Sequence, residues 1–219
     1  MRENAFILLA GGSGTRFKNK IPKQYMKIGK FDLIQHILNQ IIRNSKIHTI
    51  IIVYNKTYLK NLQKSLSIFR NKKIQIVEGG KNRQDSSLKG LLKLISTKTK
   101  KVIIHDACRP YIKNNHINRM LENLNKYDGC SFIIKNSDLI RIRKNKTISQ
   151  IYNNSFSMQT PQGFKYKKIL EIHKNTLLKN QRDDIELMNN VKYKIKFIEG
   201  NRKNIKITYK KDLKYFNFL

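Results

Sequence analysis

Residues 5–10 (AFILLA) form an unbroken apolar run that stops at Gly11-Gly12-Ser13-Gly14, and this junction limits the folds open to the chain. A run too short for a helix and apolar on both alternating faces predicts a strand covered on both sides. Glycines directly after a strand let the backbone come close to a ligand and turn its N–H groups toward an anion. Arg16, Lys18, Lys20 and Lys23 follow, around Pro22. The stretch has the parts of a polyphosphate loop, but it is neither of two familiar ones. No Gly-Lys-Ser/Thr follows four spacer residues, as a P-loop needs. Thr15 and Arg16 stand where a dinucleotide fingerprint would place a third glycine opening a helix. The plain alternative is a glycine-rich turn on a basic protein. Arg16 and Lys23, two cations flanking the glycines with a proline beside the second, favour the anion site.

Beyond the loop, helical and strand periodicities alternate. Helical spacing predicts helices over 31–43 and 57–68, from the segment 79–87 to about 95, and over 114–125. Buried strands are predicted at 48–53, 73–78, 101–105 (ending in Asp106) and 130–134. Residues 138–152 read as short alternating pieces about a Lys-Asn-Lys turn, a hairpin projecting from the sheet. Helices over 166–178 and 183–190, a strand over 193–198 and a terminal helix over 209–216 complete the reading. The fold class is α/β: a Rossmann-like, mostly parallel sheet with helices on both faces and a small β-hairpin arm. We expect one domain over residues 1–219. In such sheets ligands bind at the carboxyl ends of the strands, where the Gly loop, segment 79–87 and Asp106 all fall.

The formal net charge of +32 suggests nucleic-acid binding as a rival function. The lysines run from end to end and do not interleave with aromatics as in a stacking platform, so compositional drift toward Lys, Asn and Ile explains the charge better. No specific nucleic acid is expected. That bias makes the 14 acids, ten glycines and three prolines informative, and all three prolines sit in motif-like stretches. Cys108 and Cys130 make neither a disulfide framework nor a metal cluster. The longest apolar run is far short of a membrane span, and Arg2 and Glu3 lead straight into a strand, so a cytoplasmic protein is expected, with no membrane partner.

Several residues carry chemistry. Asp106 at a strand's end can face a divalent ion, since magnesium takes one or two carboxylates plus substrate phosphates; a helix cap or a salt bridge to Arg109 is the alternative. Arg109 suits a second anion by bidentate bonding. Arg83, Asp85 and Ser86 follow Gly79-Gly80 and read equally as a base-reading segment or a helix N-terminus. Lys206 lies between Ile205 and Ile207, facing away from both if the segment is a strand. Asp183 and Asp184 read as acids at a helix start. His105 reads as a hydrogen-bonded strand residue and not a base. No Ser or Cys has an evident His–Asp partnership, and no spacing suggests zinc.

Together, LAGGSGTRF…PKQY, EGGKNRQDSSLKGL, IIHDACRP, QTPQGF, RDDIELM and EGNRKNIKIT resemble the cytidylyltransferases that act on sugar-alcohol phosphates, in family order over residues 7–208. The resemblance implies a CTP-dependent nucleotidyltransferase with 2-C-methyl-D-erythritol 4-phosphate as first acceptor and ribitol 5-phosphate as the alternative. It implies that Ala10, Gly11, Gly12, Ser13, Gly14 and Thr15 wrap the triphosphate. Arg16, Lys23 and Lys206 would act on the α-phosphate. Gly79, Gly80, Arg83, Ser86 and Ala107 would complete the CTP site, and Asp106 would hold Mg²⁺ or another divalent cation. Arg109, Thr160, Asp138 and Arg141 would hold the acceptor. The arm, at about 136–155, would reach into a neighbouring subunit of a homodimer. Departures fall at the acceptor end: Leu139 stands where the family has Thr, Tyr152 where a gapless count expects Arg, and Arg182 where Thr is usual. Cys108 replaces the usual Ala.

Overall fold

A computed structural model describes residues 3–14, 17, 21–144, 147–152, 154–189 and 193–216. In chain order the first half contains β1 (Asn4–Ala10), the two-residue strands β2 (Lys27–Ile28) and β3 (Phe31–Asp32), α1 (Leu33–Ile42), β4 (Thr49–Tyr54), α2 (Leu59–Leu66), β5 (Ile74–Glu78), α3 (Arg83–Leu92) and β6 (Lys101–Asp106). The second half contains α4 (Asn114–Asn123), β7 (Gly129–Lys135), β8 (Ile140–Lys144), β9 (Thr147–Tyr152), β10 (Phe156–Lys165), α5 (Tyr166–Asn175), α6 (Ile185–Asn189) and β11 (Ile195–Glu199).

Seven strands form one sheet in the order β11-β7-β10-β6-β1-β4-β5. β1 pairs in parallel with β4 on one side and β6 on the other. The chain first winds outward through β4 and β5, then crosses back to β6, so the strand order reverses beside β1. An open sheet has its crevice at such a switch point. Leu9 lies opposite Asp106 and Ala10 opposite Tyr54, which brings the ends of three strands level.

Both faces of the sheet are covered, and the alternation within each strand sorts the core. Phe6, Leu8, Ile50, Ile52 and Ile103 pack with α1, α2 and α4. Ala5, Ile7, Ile51, Val53, Val102 and Ile104 pack with α3, α5 and α6. Local chemistry sets the helix starts. Asp32 and Gln35 form a reciprocal capping box at α1. Asn82 caps α3 by accepting from the Asp85 N–H at 2.8 Å, so the helix expected from segment 79–87 begins only at Arg83. Gly90 lets α3 lie close on the sheet: a Cβ there would sit 2.8 Å from Ile7 Cγ2.

The sequence pattern left 156–165 unassigned. The structure makes it β10, antiparallel to both β6 and β7 and the one antiparallel member among the described strands of this sheet. Proline normally argues against an interior strand because it donates no ladder bond. Here the register shifts between Gln159 and Gln162, and Pro161 sits in that irregularity behind a cis peptide. The expected hairpin arm is β8 and β9, which pair with each other outside the main sheet. The expected terminal helix is a 3-10 helix over Lys210–Phe216, and α5 stops at Asn175 because Thr176 is extended.

Candidate active site

The loop after β1 is held from outside by one carboxamide. Gln24, 3% exposed, donates from Nε2 to the carbonyls of Ala10 and Gly12, each at 2.7 Å. Gly14 has φ of +71°, a left-handed turn that favours glycine. Lys23 donates from Nζ to the Ile207 carbonyl at 2.6 Å, which ties this segment to the one bearing Lys206. Thr15 and Arg16 lie outside the described residues.

These groups line a cavity of about 400 Å³ at the carboxyl edge of β1, β4, β5 and β6. Gly11, Gly12, Ser13 and Gly14 form one wall, with Lys23 and Gln24; Gly80, Asn82, Arg83 and Ser86 form another. Asp106, Ala107, Cys108 and Lys206 form the floor. The Gly loop, the start of α3, the end of β6 and Lys206 are thus brought together. Gly79 and Ala10 adjoin Gly80 and Gly11 in the chain but are not among the lining residues. The segment holding Lys206 is not a strand, but its alternation survives: Ile207 is buried while Lys206 reaches the cavity.

A line of alternating charges runs from the floor into the interior. Lys206 Nζ donates to Asp106 Oδ2 at 2.6 Å, and Arg83 Nε to Asp106 Oδ1 at 3.1 Å. Arg83 Nη1 donates to Asp184 Oδ2 at 2.8 Å, and the other Asp184 oxygen meets His173 Nε2 at 3.0 Å. Burial alone would raise the Asp106 carboxyl, but Arg83 and Lys206 outweigh it and hold it far below the usual carboxylate range. Burial likewise opposes ionisation of Asp184, and Arg83 and His173 still hold it down to about 2. Burial would lower Arg83, and its two carboxylates keep it firmly charged. Its Nη2 is buried with no hydrogen-bond partner among the described residues.

Two sequence-selected residues support this floor from behind. Thr160, 4% exposed, accepts from the Asp106 N–H at 3.1 Å and meets His105 Nδ1 at 3.0 Å. His105 Nε2 lies 2.9 Å from the Arg109 carbonyl, which can only accept, so Nε2 carries the proton and Nδ1 accepts from the Thr160 hydroxyl. Burial pushes His105 down to about 4, so it is neutral with both nitrogens engaged and is not a base. Arg109 donates to the Asn204 carbonyl at 2.6 Å and the Met158 carbonyl at 3.4 Å. Ser86 accepts from the Gly80 N–H at 3.1 Å and donates to the Asn82 carbonyl at 2.8 Å, shaping the turn before α3. Asp138 is elsewhere, in a second cavity of about 310 Å³ at the root of the arm, shared with Lys135, Ser157 and Arg202. Arg141 is exposed on β8.

Nothing in the sequence pattern assigns a role to Gln24 or His173, and by pattern alone Asp184 reads as an acid at a helix start. Asp183 does that work, accepting from the Glu186 N–H at 2.9 Å, while Asp184 is 1% exposed and pairs with Arg83. The rarity of acids in this chain was the available signal for Asp184. Among the described residues Asp106 is the one carboxylate lining this cavity, and they contain no group of three or more His, Cys, Asp or Glu able to hold a metal. That donor set fits a magnesium ion coordinated chiefly by substrate phosphates, and not one caged by protein alone.

A doubly wound sheet with a glycine loop, lysines and one carboxylate converging at its switch point defines an α/β nucleotidyltransferase. The chain belongs to the IspD family: the family model described as 2-C-methyl-D-erythritol 4-phosphate cytidylyltransferase matches residues 5–219. It is 34% identical over 217 residues to the protein of that name from Thermosipho melanesiensis, covering 96% of this chain and 94% of that one. It is 33% identical to the bifunctional enzyme IspD/IspF of Pelagibacter ubique, covering 99% of this chain and 57% of that one. Among solved structures, 4-diphosphocytidyl-2C-methyl-D-erythritol synthase from Anaerococcus prevotii shares the fold with a TM-score of 0.85 at 24% identity, over 99% of this chain and 97% of that one.

Proposed function

We propose that the cavity beside β1 and β6 binds CTP, and that the residues around it carry cytidylyl transfer to 2-C-methyl-D-erythritol 4-phosphate with release of pyrophosphate. The activity is that of the family; the residue roles are our reading. One observation carries them: Lys206, Asp106 and Arg83 meet within hydrogen-bond distance at the floor of a glycine-walled cavity. An oxygen of the acceptor's phosphate attacks the α-phosphorus of CTP. The new P–O bond forms as the bond to the β-phosphate oxygen breaks, and pyrophosphate leaves. The nucleophile is already an anion, so no protein base is required, in keeping with the engaged, neutral His105. Catalysis is then positioning and charge stabilisation.

Lys23 and Lys206, with Arg16 by family resemblance, offset the charge that grows on the α-phosphate. Gly11–Gly14 and Thr15 hold the triphosphate, while Gly79, Gly80 and Ser86 shape the base end beside Ala107. Arg83 acts by fixing Asp106. Asp106 would hold the divalent ion, which when bound would neutralise charge on the phosphates. Thr160 serves the acceptor side as the support of Asp106, beside Arg109. Asp138 and Arg141 reach an acceptor through the arm of a homodimer. Exposed apolar residues on and beside that arm, Leu139 at 60% and Phe156 at 45%, support such a contact. Small, water-soluble anionic substrates are in keeping with a reaction in the cytoplasm; among the described residues no helix is long and apolar enough to cross a membrane.

The test is pyrophosphate release from CTP and Mg²⁺ with methylerythritol 4-phosphate and ribitol 5-phosphate in parallel. Turnover with the first and not the second is expected. Turnover with ribitol phosphate alone would reassign the acceptor to the one that Leu139 and Tyr152 accommodate.

A further inference from the structure

Both oxygens of Asp106 are taken, and the two cations that hold them are not equivalent. Arg83, with its side chain 19% exposed, is anchored on its far side by Asp184 and cannot leave Asp106 without stranding a buried charge. Lys206 is 38% exposed, lines the cavity and has one ion pair among the described residues, the 2.6 Å contact to Asp106 Oδ2. It sits on an irregular segment, on a flexible four-carbon stem. One cation is a fixture and the other is exchangeable.

This geometry bears on how a divalent ion reaches Asp106. The carboxylate is neutralised twice, at the floor of a cavity also lined by Lys23 and Lys81, in a chain of net charge +32. A free dication meets a closed site. A triphosphate changes that by offering the Lys206 ammonium several anionic oxygens in place of one. Lys206 can then move onto the nucleotide, and Oδ2 of Asp106 is released at the moment an ion arrives with the phosphates. Local charge stays balanced throughout.

We propose that Lys206 is a resident counter-ion for Asp106, released by the nucleotide, so that the chain takes up its divalent cation together with CTP and not before it. This rests on the reading that Asp106 faces the nucleotide's divalent ion. It gives Lys206 a second role beside phosphate binding: it keeps the idle site from capturing free divalent ions.

The experiment reads Mn²⁺ binding by electron paramagnetic resonance of the free ion, with no turnover needed. Wild type, Lys206→Met, Lys206→Gln and Lys126→Met are compared with Mn²⁺ alone. Lys126 is exposed just before β7, at the opposite edge of the sheet, so its variant removes the same charge far from the cavity. Both Lys206 variants should bind Mn²⁺ about tenfold or more tightly than Lys126→Met, because an opposing charge in contact with Asp106 is gone. The gain should vanish when Asp106→Asn is added. Wild type should take up one Mn²⁺ per chain only with a CTP analogue bearing a methylene bridge between its α- and β-phosphorus. Three results would overturn the proposal: Lys206 variants no tighter than Lys126→Met, a gain that survives loss of Asp106, or wild type binding Mn²⁺ alone as tightly as with the analogue. Failure of the proposed function shows separately, as wild type that releases no pyrophosphate, while the metal-alone arms still test the exchange. Thermal melts confirm that each variant is folded.

Discussion

Asp184 does not line the glycine-walled cavity, yet the structure makes it a main support of the charged floor, and Asp184→Asn isolates that role. The change keeps the shape and removes the charge. Asn can still present its oxygen to Arg83 Nη1 and its amide to His173 Nε2, so what is lost is chiefly the charge of the carboxylate. Asp184 is held at about 2 in the folded protein, against an ordinary carboxylate value near about 4, and that difference corresponds to about 2 kcal/mol of stability at neutral pH. Losing one partner of a buried ion pair sets an upper bound of about 3–5 kcal/mol. Arg83 keeps Asp106, so the lower figure is the better expectation.

The sign fixes how this depends on pH. A carboxyl depressed on folding contributes stability that is complete above its unfolded value and is lost as pH falls through its folded one. The gap between wild type and Asp184→Asn should be full at pH 5 and above, and should close as pH falls from about 4 toward 2, where Asp184 itself becomes neutral. Urea unfolding followed by circular dichroism at several pH values measures this. A variant as stable as wild type at pH 7, or a gap unchanged down to pH 2.5, would refute the argument that charge pairing through Arg83 holds this floor.

Gln24→Leu should raise KM for CTP about tenfold with a smaller change in kcat, since it leaves the Ala10 and Gly12 carbonyls without their shared donor and loosens the loop proposed to hold the triphosphate; an unchanged KM would remove Gln24 from the site. Gly90→Ala should destabilise by about 1–2 kcal/mol despite the better helix propensity of alanine, because its Cβ meets Ile7 and Val53 in the core; a rise in thermal midpoint would show that α3 can move off the sheet. His105, lowered to about 4 by burial, favours the folded state only as the neutral form. Its contribution is present above the unfolded value near about 6.5 and falls by about 3 kcal/mol as pH drops to about 4. In His105→Gln the slope of stability between those values should flatten, and a slope equal to wild type would contradict the buried, neutral assignment.

What the sequence disclosed and what it hid follow one physical division. Strands such as 5–10 and 48–53 are apolar on both faces because the sheet is covered on both faces, so pattern alone located β1 and β4 and the crevice beside them. The Gly loop was legible because its backbone must approach a ligand, and few residue types permit that. β10 was hidden because its local chemistry contradicts its place: Pro161 lies in the middle of the sheet and is accommodated only by a register shift. No neighbour in sequence announces that shift. The charged floor was hidden for a related reason. The pairs Arg83–Asp106, Lys206–Asp106 and Arg83–Asp184 join residues 23 to 101 positions apart and form only through the crossing of β6, α3 and the segments after α5 and β11. Each of these residues has a plausible solvated or capping role when read alone. The sequence therefore indicates which residues are available for phosphate chemistry, while the fold decides which of them pair with each other. That pairing separates a fixed arginine from an exchangeable lysine, and on that difference rests the expectation that nucleotide and metal arrive together.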